Sequence, residues 1–131
     1  MADNSTKIIC EAFSERLKDY GITRVQWIAL YYLGQNQLNQ KELGEKMNIK
    51  GSSVARLADR LEKEDFIKRI RDPEDRRITN LVLTEKGKEY REKVMPIAQH
   101  LNDTLSINIS QEEMDIFKGI LGKMLKNVKK L

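Results

Sequence analysis

Between Lys50 and Gly87 the chain concentrates side chains whose chemistry is anion recognition. Lys50, Ser52, Ser53, Arg56 and Arg60 form one run, and Lys68, Arg69, Arg76 and Arg77 belong to a second. Lysine and arginine neutralise phosphates, arginine also forks onto a guanine edge, and serine hydroxyls bond phosphate oxygens. A duplex requires both kinds of contact, charge for affinity and base-edge contacts for sequence preference. The competing reading of Arg76 and Arg77 is a solvated turn in which they pair loosely with Asp72, Glu74 and Asp75. The first reading requires a fold that brings both runs to one surface.

The elements that would do so are marked in the sequence. Val54, Leu57 and Leu61 recur at i, i+3 and i+7, predicting a helix that buries one stripe and turns Ser53, Arg56 and Arg60 elsewhere. Residues 67–71 and 79–83 are short aliphatic, β-branched and basic runs on either side of Asp72-Pro73-Glu74-Asp75, which predicts a hairpin with Arg76 and Arg77 at its tip. Thr79, Leu81 and Leu83 alternate onto one side of the second strand, and Thr84 is placed to cap a helix opening at Glu85. Upstream, Asn39 caps a short helix over 40–47 with Leu43 and Met47 inward and Gln40 and Lys41 at its exposed start. The backbone N–H groups of that start either hold an anion or meet solvent. Asn48-Ile49-Lys50-Gly51 joins the two helices into a helix-turn-helix, whose second helix is the candidate for a major groove. On it Arg56 is the first candidate for a base, while the serines suit phosphates or an occasional base. Lys68, Arg69 and Arg76 are phosphate candidates, and Asp75 stands two residues before Arg77, where it is able to hold the guanidinium by a charge-assisted hydrogen bond.

The flanking segments are helical. Ile9, Phe13, Leu17 and Tyr20 predict an amphipathic helix over 7–20 stopped by Gly21, with Cys10 among Ile8, Ile9 and Phe13 as a small buried hydrophobe. Thr23 caps a second helix in which Val25, Trp27, Ile28, Leu30, Tyr32 and Leu33 leave little polar face, so it is expected in the core. Tyr90, Val94, Ile97, Leu101 and Leu105 form a stripe over 85–106, which Pro96 interrupts, predicting a kink or a helix split in two. Ser110 and Glu113 form a capping box for a last helix. There Met114, Phe117, Leu121, Met124, Val128 and Leu131 follow a 3-4-3-4-3 spacing that Ile120 and Leu125 widen. So broad a face packs within its own chain or also against the same helix of a second subunit.

Composition narrows the function classes. A chain of 131 residues is one ordinary domain, and 24 Lys plus Arg against 20 Asp plus Glu give a net charge of +4 that suits an anionic partner without demanding one. No apolar run reaches the ~18 residues of a membrane span and no signal-peptide pattern is present, so a soluble cytoplasmic protein is expected, without a membrane partner. One cysteine excludes an internal disulfide, and with the lone His100 it leaves a Cys/His metal cluster out of reach within one chain. There is no Gly-rich phosphate loop, nucleophile motif or H-E-x-x-H, so neither an enzyme nor a metal or cofactor is expected.

Asp75, Arg77, Leu83, Thr84 and Gly87 stand in a D-x-R, five-residue spacer, L-T-x-x-G arrangement that resembles the wing of the MarR family of bacterial transcription regulators. Gly21-Ile22-Thr23 with Gln26-Trp27 and Leu30 resembles that family's lead into its second helix, and Ser53-Val54 to Leu61-Glu62 its recognition helix. The ordered match covers about two thirds of the chain. The resemblance implies a fold that is mainly α with a small β-hairpin wing (α+β). Within a single domain 1–131, residues 22–87 would form the winged helix-turn-helix lobe, and 1–21 with 88–131 a helical dimerisation region. It implies that Arg77 enters a minor groove of double-stranded DNA, and that Gln40, Lys50, Ser52, Ser53, Arg56, Arg60, Lys68, Arg69, Asp75 and Arg76 belong to the same interface. It further implies a homodimer built on Ile9, Phe13, Met114, Phe117, Leu121, Met124 and Val128, acting as a repressor on a pseudo-palindromic operator. A small aromatic or phenolic ligand between the lobe and the dimer helices would release it. Some members sense peroxide through a cysteine in the first helix, but Cys10 lies too close to Gly21-Ile22-Thr23 to match that position. A redox-responsive regulator through Cys10 and a winged-helix module for protein partners stand as the alternatives.

Overall fold

Three helices open in the same way, each with a side chain that closes two of the backbone donors a helix start leaves unpaired. Thr23 Oγ1 accepts from the Gln26 N–H at 3.1 Å while Gln26 Oε1 accepts from the Thr23 N–H at 3.0 Å. Asn39 and Glu42 repeat the exchange at 2.8 and 2.9 Å, and Ser110 and Glu113 at 3.1 and 2.9 Å. In the computed structural model, which describes residues 4–131, these caps precede α2 (Arg24–Gln35), α3 (Gln40–Met47) and α6 (Gln111–Val128). The other elements are α1 (Ser5–Lys18), α4 (Gly51–Lys63), β2 (Ile67–Arg71), β3 (Thr79–Leu83) and α5 (Glu85–Leu105), with a two-residue β1 (Leu38–Asn39) between α2 and α3. Six helices and a small antiparallel sheet make the fold mainly α with a hairpin wing, as expected.

The chain divides into two compact units, one ending at Ala98 and the other running Gln99–Leu131. In the first, the sheet order is β1-β3-β2, with Leu38 opposite Leu81, Ile67 opposite Leu83 and Arg71 opposite Thr79. Leu17, Leu30, Leu43, Val54, Leu61, Ile67, Leu81 and Val94 are buried in one core. Each such side chain contributes about 1.5–3 kcal/mol when fully buried. Between α3 and α4 the chain turns on Asn48, whose left-handed backbone (φ 55°) lets the Ile49 N–H return to the Gly44 carbonyl at 3.0 Å. In the second unit α6 follows a turn at Ser106–Ile109, and none of its residues is buried.

Several expectations shift. The first helix starts at Ser5 and ends at Lys18, not Tyr20. Val25, expected in the core, is 40% exposed, because α2 turns Gln26, Ala29, Leu30 and Leu33 inward and Val25 falls outside that arc. Cys10 is half-buried, not buried, since its neighbours Ile8 and Ile9 are themselves exposed. Pro96 does not split its helix: α5 runs unbroken from Glu85 to Leu105. A proline there costs about 3 kcal/mol, and the burial of Val94 with Tyr90 and Ala98 packed on the core offsets it. Among the described residues no helix is long and apolar enough to cross a membrane.

Gly87 fixes how α5 leaves the wing. It is buried in the first turn of the helix, where the Thr84 Oγ1 accepts its N–H at 3.0 Å. A Cβ built on it would overlap the Phe66 carbonyl oxygen and lie 3.3 Å from Leu83 Cδ2. Backbone cannot swing aside as a side chain can, so Gly87→Ala should push α5 off the sheet. Unfolding in urea should show a loss of about 1–3 kcal/mol, the range for overpacked sites.

Candidate nucleic-acid interface

Helix α4 has three faces. Val54, Leu57, Ala58 and Leu61 are buried; Ala55, Asp59 and Glu62, at i, i+4 and i+7, turn toward β2; and Ser52, Ser53, Arg56, Arg60 and Lys63 are exposed on the remaining arc. All four α4 candidates of the sequence reading therefore lie on a face the core does not use. The helix starts without a side-chain cap, the Lys50 carbonyl accepting from the Val54 N–H at 3.0 Å. Its first N–H groups are thus available to an anion or to water.

The wing tip is built by two aspartates. Asp72 Oδ1 accepts from the backbone N–H of Glu74 (2.8 Å) and Asp75 (3.2 Å), and its Oδ2 from the Asn80 amide at 3.3 Å. These bonds hold the Asp72 carboxyl below its ordinary pKa, the backbone N–H of Glu74 contributing most. Asp75 does what its spacing suggested: Oδ1 accepts from Arg77 Nε at 3.1 Å and from the Arg77 N–H at 3.0 Å, and Oδ2 from Nη2 at 3.2 Å. The Arg77 side-chain fork, then its backbone N–H, lowers the Asp75 pKa. The loose pairing weighed for Arg76 and Arg77 is thus half right: Arg77 is forked onto Asp75, while Asp72 serves the backbone of the turn. Arg77 nonetheless keeps 91% of its side chain exposed.

The wing and the helix-turn-helix enclose a trough of about 1070 Å³. Gln40 and Lys41 from the start of α3, Lys50 and Gly51 from the start of α4, and Arg77 to Thr79 from the wing line it, with Glu45 the one acidic side chain in the lining. The structure thus brings Gln40, Lys50 and Arg77 to one concavity and adds Lys41, whose place at an exposed helix start was the signal for it. Ser52, Ser53, Arg56, Arg60, Lys68 and Arg76 lie outside the lining and are exposed.

Arg69, expected as a phosphate contact, is engaged differently. Its Nη1 pairs with Asp59 and lies 3.6 Å from Glu62, and its Nη2 donates to the Ala55 carbonyl at 2.9 Å. Its backbone N–H donates to Glu62 Oε2 at 3.3 Å, while Nε is buried without an acceptor. Strand alternation puts Arg69 on the same side as the buried Ile67, toward α4, and the two acids it meets were missed in the sequence. Among the described residues no group of three or more His, Cys, Asp or Glu is placed to hold a metal ion.

Both wing aspartates stabilise the turn only while ionised. Their folded pKa values are depressed, so their contribution is complete above the ordinary carboxylate range and is lost as pH falls through the folded values. Carboxyl titration followed by NMR should place both midpoints below an ordinary aspartate. Arg77→Ala should raise the Asp75 midpoint and leave that of Asp72 in place.

The same architecture recurs among known proteins. A model described as MarR family matches residues 20–78, from the end of α1 to the wing tip. The transcriptional regulator SarZ of Staphylococcus epidermidis is 33% identical over 110 residues, which are 83% of this chain and 73% of that protein. SarZ of Staphylococcus aureus is 30% identical over 124 residues, covering 94% and 83% respectively. Among solved structures, the S. aureus MepR–DNA complex superposes with a TM-score of 0.87 at 29% identity over 93% of this chain and 91% of that one. The SarZ proteins are named as transcriptional regulators, and with the family match, the wing and the helix-turn-helix these likenesses identify the chain as a member of the MarR family of winged-helix transcriptional regulators.

Proposed function

We propose that the protein binds double-stranded DNA sequence-specifically, as a homodimer on a pseudo-palindromic operator, and represses transcription in the cytoplasm. The observation that carries this reading is the basic trough shared by Lys50 and Arg77, beside the free arc of α4. Helix α4 enters the major groove with Arg56 toward a base edge, Ser52 and Ser53 toward phosphates, and Arg60 farther along the same arc. Arg77, pre-set by Asp75, enters the adjacent minor groove; Gln40, Lys41, Lys68 and Arg76 meet the backbone. The MepR complex with DNA, of the same fold at 29% identity, supports DNA as the partner.

The dimer is supported by the apolar face of α6, where Phe117, Leu121, Met124 and Val128 are each more than 40% exposed in the single chain. Met114 on that helix, and separately Ile9 and Phe13 on α1, are the further dimer candidates. Two α4 helices then lie about 34 Å apart, one turn of DNA. Residues 22–87 act as the DNA-binding lobe and 1–21 with 88–131 as the dimerisation region of one domain. Release by a small aromatic or phenolic ligand follows the family resemblance, and it requires a ligand that binds the two dimer geometries with different affinity.

Selection of bound duplexes from a random library at physiological salt tests the reading, a two-fold symmetric enriched site being the expected result. On that site Arg77→Ala should weaken binding across sequences and reduce the salt slope by about 1, whereas Arg56→Ala should relax preference at one base pair by about 1–3 kcal/mol. Unchanged binding in both variants contradicts DNA recognition by this surface. Leu121→Glu should convert the dimer to monomer in sedimentation while leaving the helical circular dichroism intact, and a monomeric wild type would refute the dimer.

A further inference from the structure

We propose that Arg69 is a positioning residue, a brace that holds the wing at a set angle to α4 so that the two meet one duplex together. The proposal rests on the DNA-binding reading above and assigns Arg69 no contact with DNA. Three observations carry it. The side chain spans from β2 to one face of α4 and is met there by Asp59, Glu62 and the Ala55 carbonyl, spaced i, i+4 and i+7 along nearly two helical turns. The Arg69 backbone N–H adds a second attachment to Glu62, so strand and side chain are both tied. The side chain is only 24% exposed, whereas that of Arg77, the contact residue of the wing, is 91% exposed.

The geometry has a consequence opposite in sign to simple electrostatics. Asp59 and Glu62 are acids on the very helix proposed to approach a polyanion. If they were merely surface charges, neutralising one would tighten DNA binding, because repulsion with phosphate would fall. If they hold Arg69, neutralising one loosens the wing and weakens binding. Asp59 has 67% of its side chain exposed, so Asp59→Asn leaves the core untouched.

The test uses the full chain and its Asp59→Asn and Arg69→Gln variants, with the duplex enriched by the wild type, and adds amide hydrogen exchange on the free proteins. Asp59→Asn should bind about fivefold more weakly with the salt slope unchanged. Exchange at the backbone amide of position 69 and along β2 should quicken in both variants. Arg69→Gln should bind at least about tenfold more weakly, again without a change in slope. Unchanged or tighter binding by Asp59→Asn overturns the proposal, as does a slope reduced by about 1 in Arg69→Gln, which would make Arg69 a phosphate contact. Exchange that stays at the wild-type rate in both variants also overturns it. Failure of the DNA reading looks different: the wild type itself enriches no duplex, and the exchange measurement alone then decides whether the brace exists.

Discussion

A helix that presents a face to another molecule must be held by everything except that face. Helix α4 has 13 residues, a length at which an isolated helix is marginal in water, so its order comes from tertiary attachment. Val54, Leu57, Ala58 and Leu61 bury one arc, and Gly44 of α3 lets the two helices approach closely, since a Cβ there would lie 2.7 Å from Val54 Cγ2. An apolar arc resists separation but not rolling, because hydrophobic contact has little direction. Direction comes from hydrogen bonds, and α4 takes them from Arg69 on its flank and from a polar cluster at its end.

That cluster explains a buried polar residue. Gln26 is 2% exposed; its Oε1 closes the cap of α2 while its Nε2 donates to Glu64 at 2.8 Å, at the end of α4. A carboxylate at a helix C-terminus opposes the helix dipole. Here the Gln26 amide bonds it, and Lys86 Nζ donates to the Glu64 carbonyl at 2.8 Å, meeting the negative end directly. Lys86 also lies 4.9 Å from the Phe66 ring centroid, and Phe66 meets Tyr90 edge-on at the same separation. Thr84 Oγ1 donates to the Asp65 carbonyl at 2.6 Å and the Thr84 N–H to the Phe66 carbonyl at 3.0 Å. The L-T-x-x-G motif is thus a junction: the threonine ties the end of α4 to α5, and the glycine lets the Phe66 carbonyl pass.

What was legible in the sequence was local. The bounds of α3, β2 and β3 were read correctly because a cap or a turn marks each end, and Asp75 was matched to Arg77 because they stand two positions apart. Strand β1 has two residues and exists only through its pairing with β3, so no periodicity announces it. The partners of Arg69 were hidden for a related reason. Its sequence neighbours are basic, but its partners stand ten and seven residues earlier on a helix, and only the fold turns Asp59 and Glu62 toward it. The spacing in α6 announced an apolar face correctly, yet spacing does not say what covers it, and within the chain that face is open.

The charge of the wing favours geometry over field. From Arg71 to Arg77 three arginines face three acids, Asp72, Glu74 and Asp75, so the tip carries no net charge. Beyond about 8 Å at physiological ionic strength such a tip exerts little pull on a phosphate backbone. On the proposed DNA reading, long-range attraction would fall to Lys41, Lys50, Arg56 and Arg60 on the α3–α4 surface. On the same reading the tip would act at contact, where Asp75 has already fixed two nitrogens of Arg77 and so removed part of the rotamer entropy that ordering a free arginine would cost. An acid beside the key arginine lowers attraction at a distance and raises the fraction of encounters that arrive with the side chain already set.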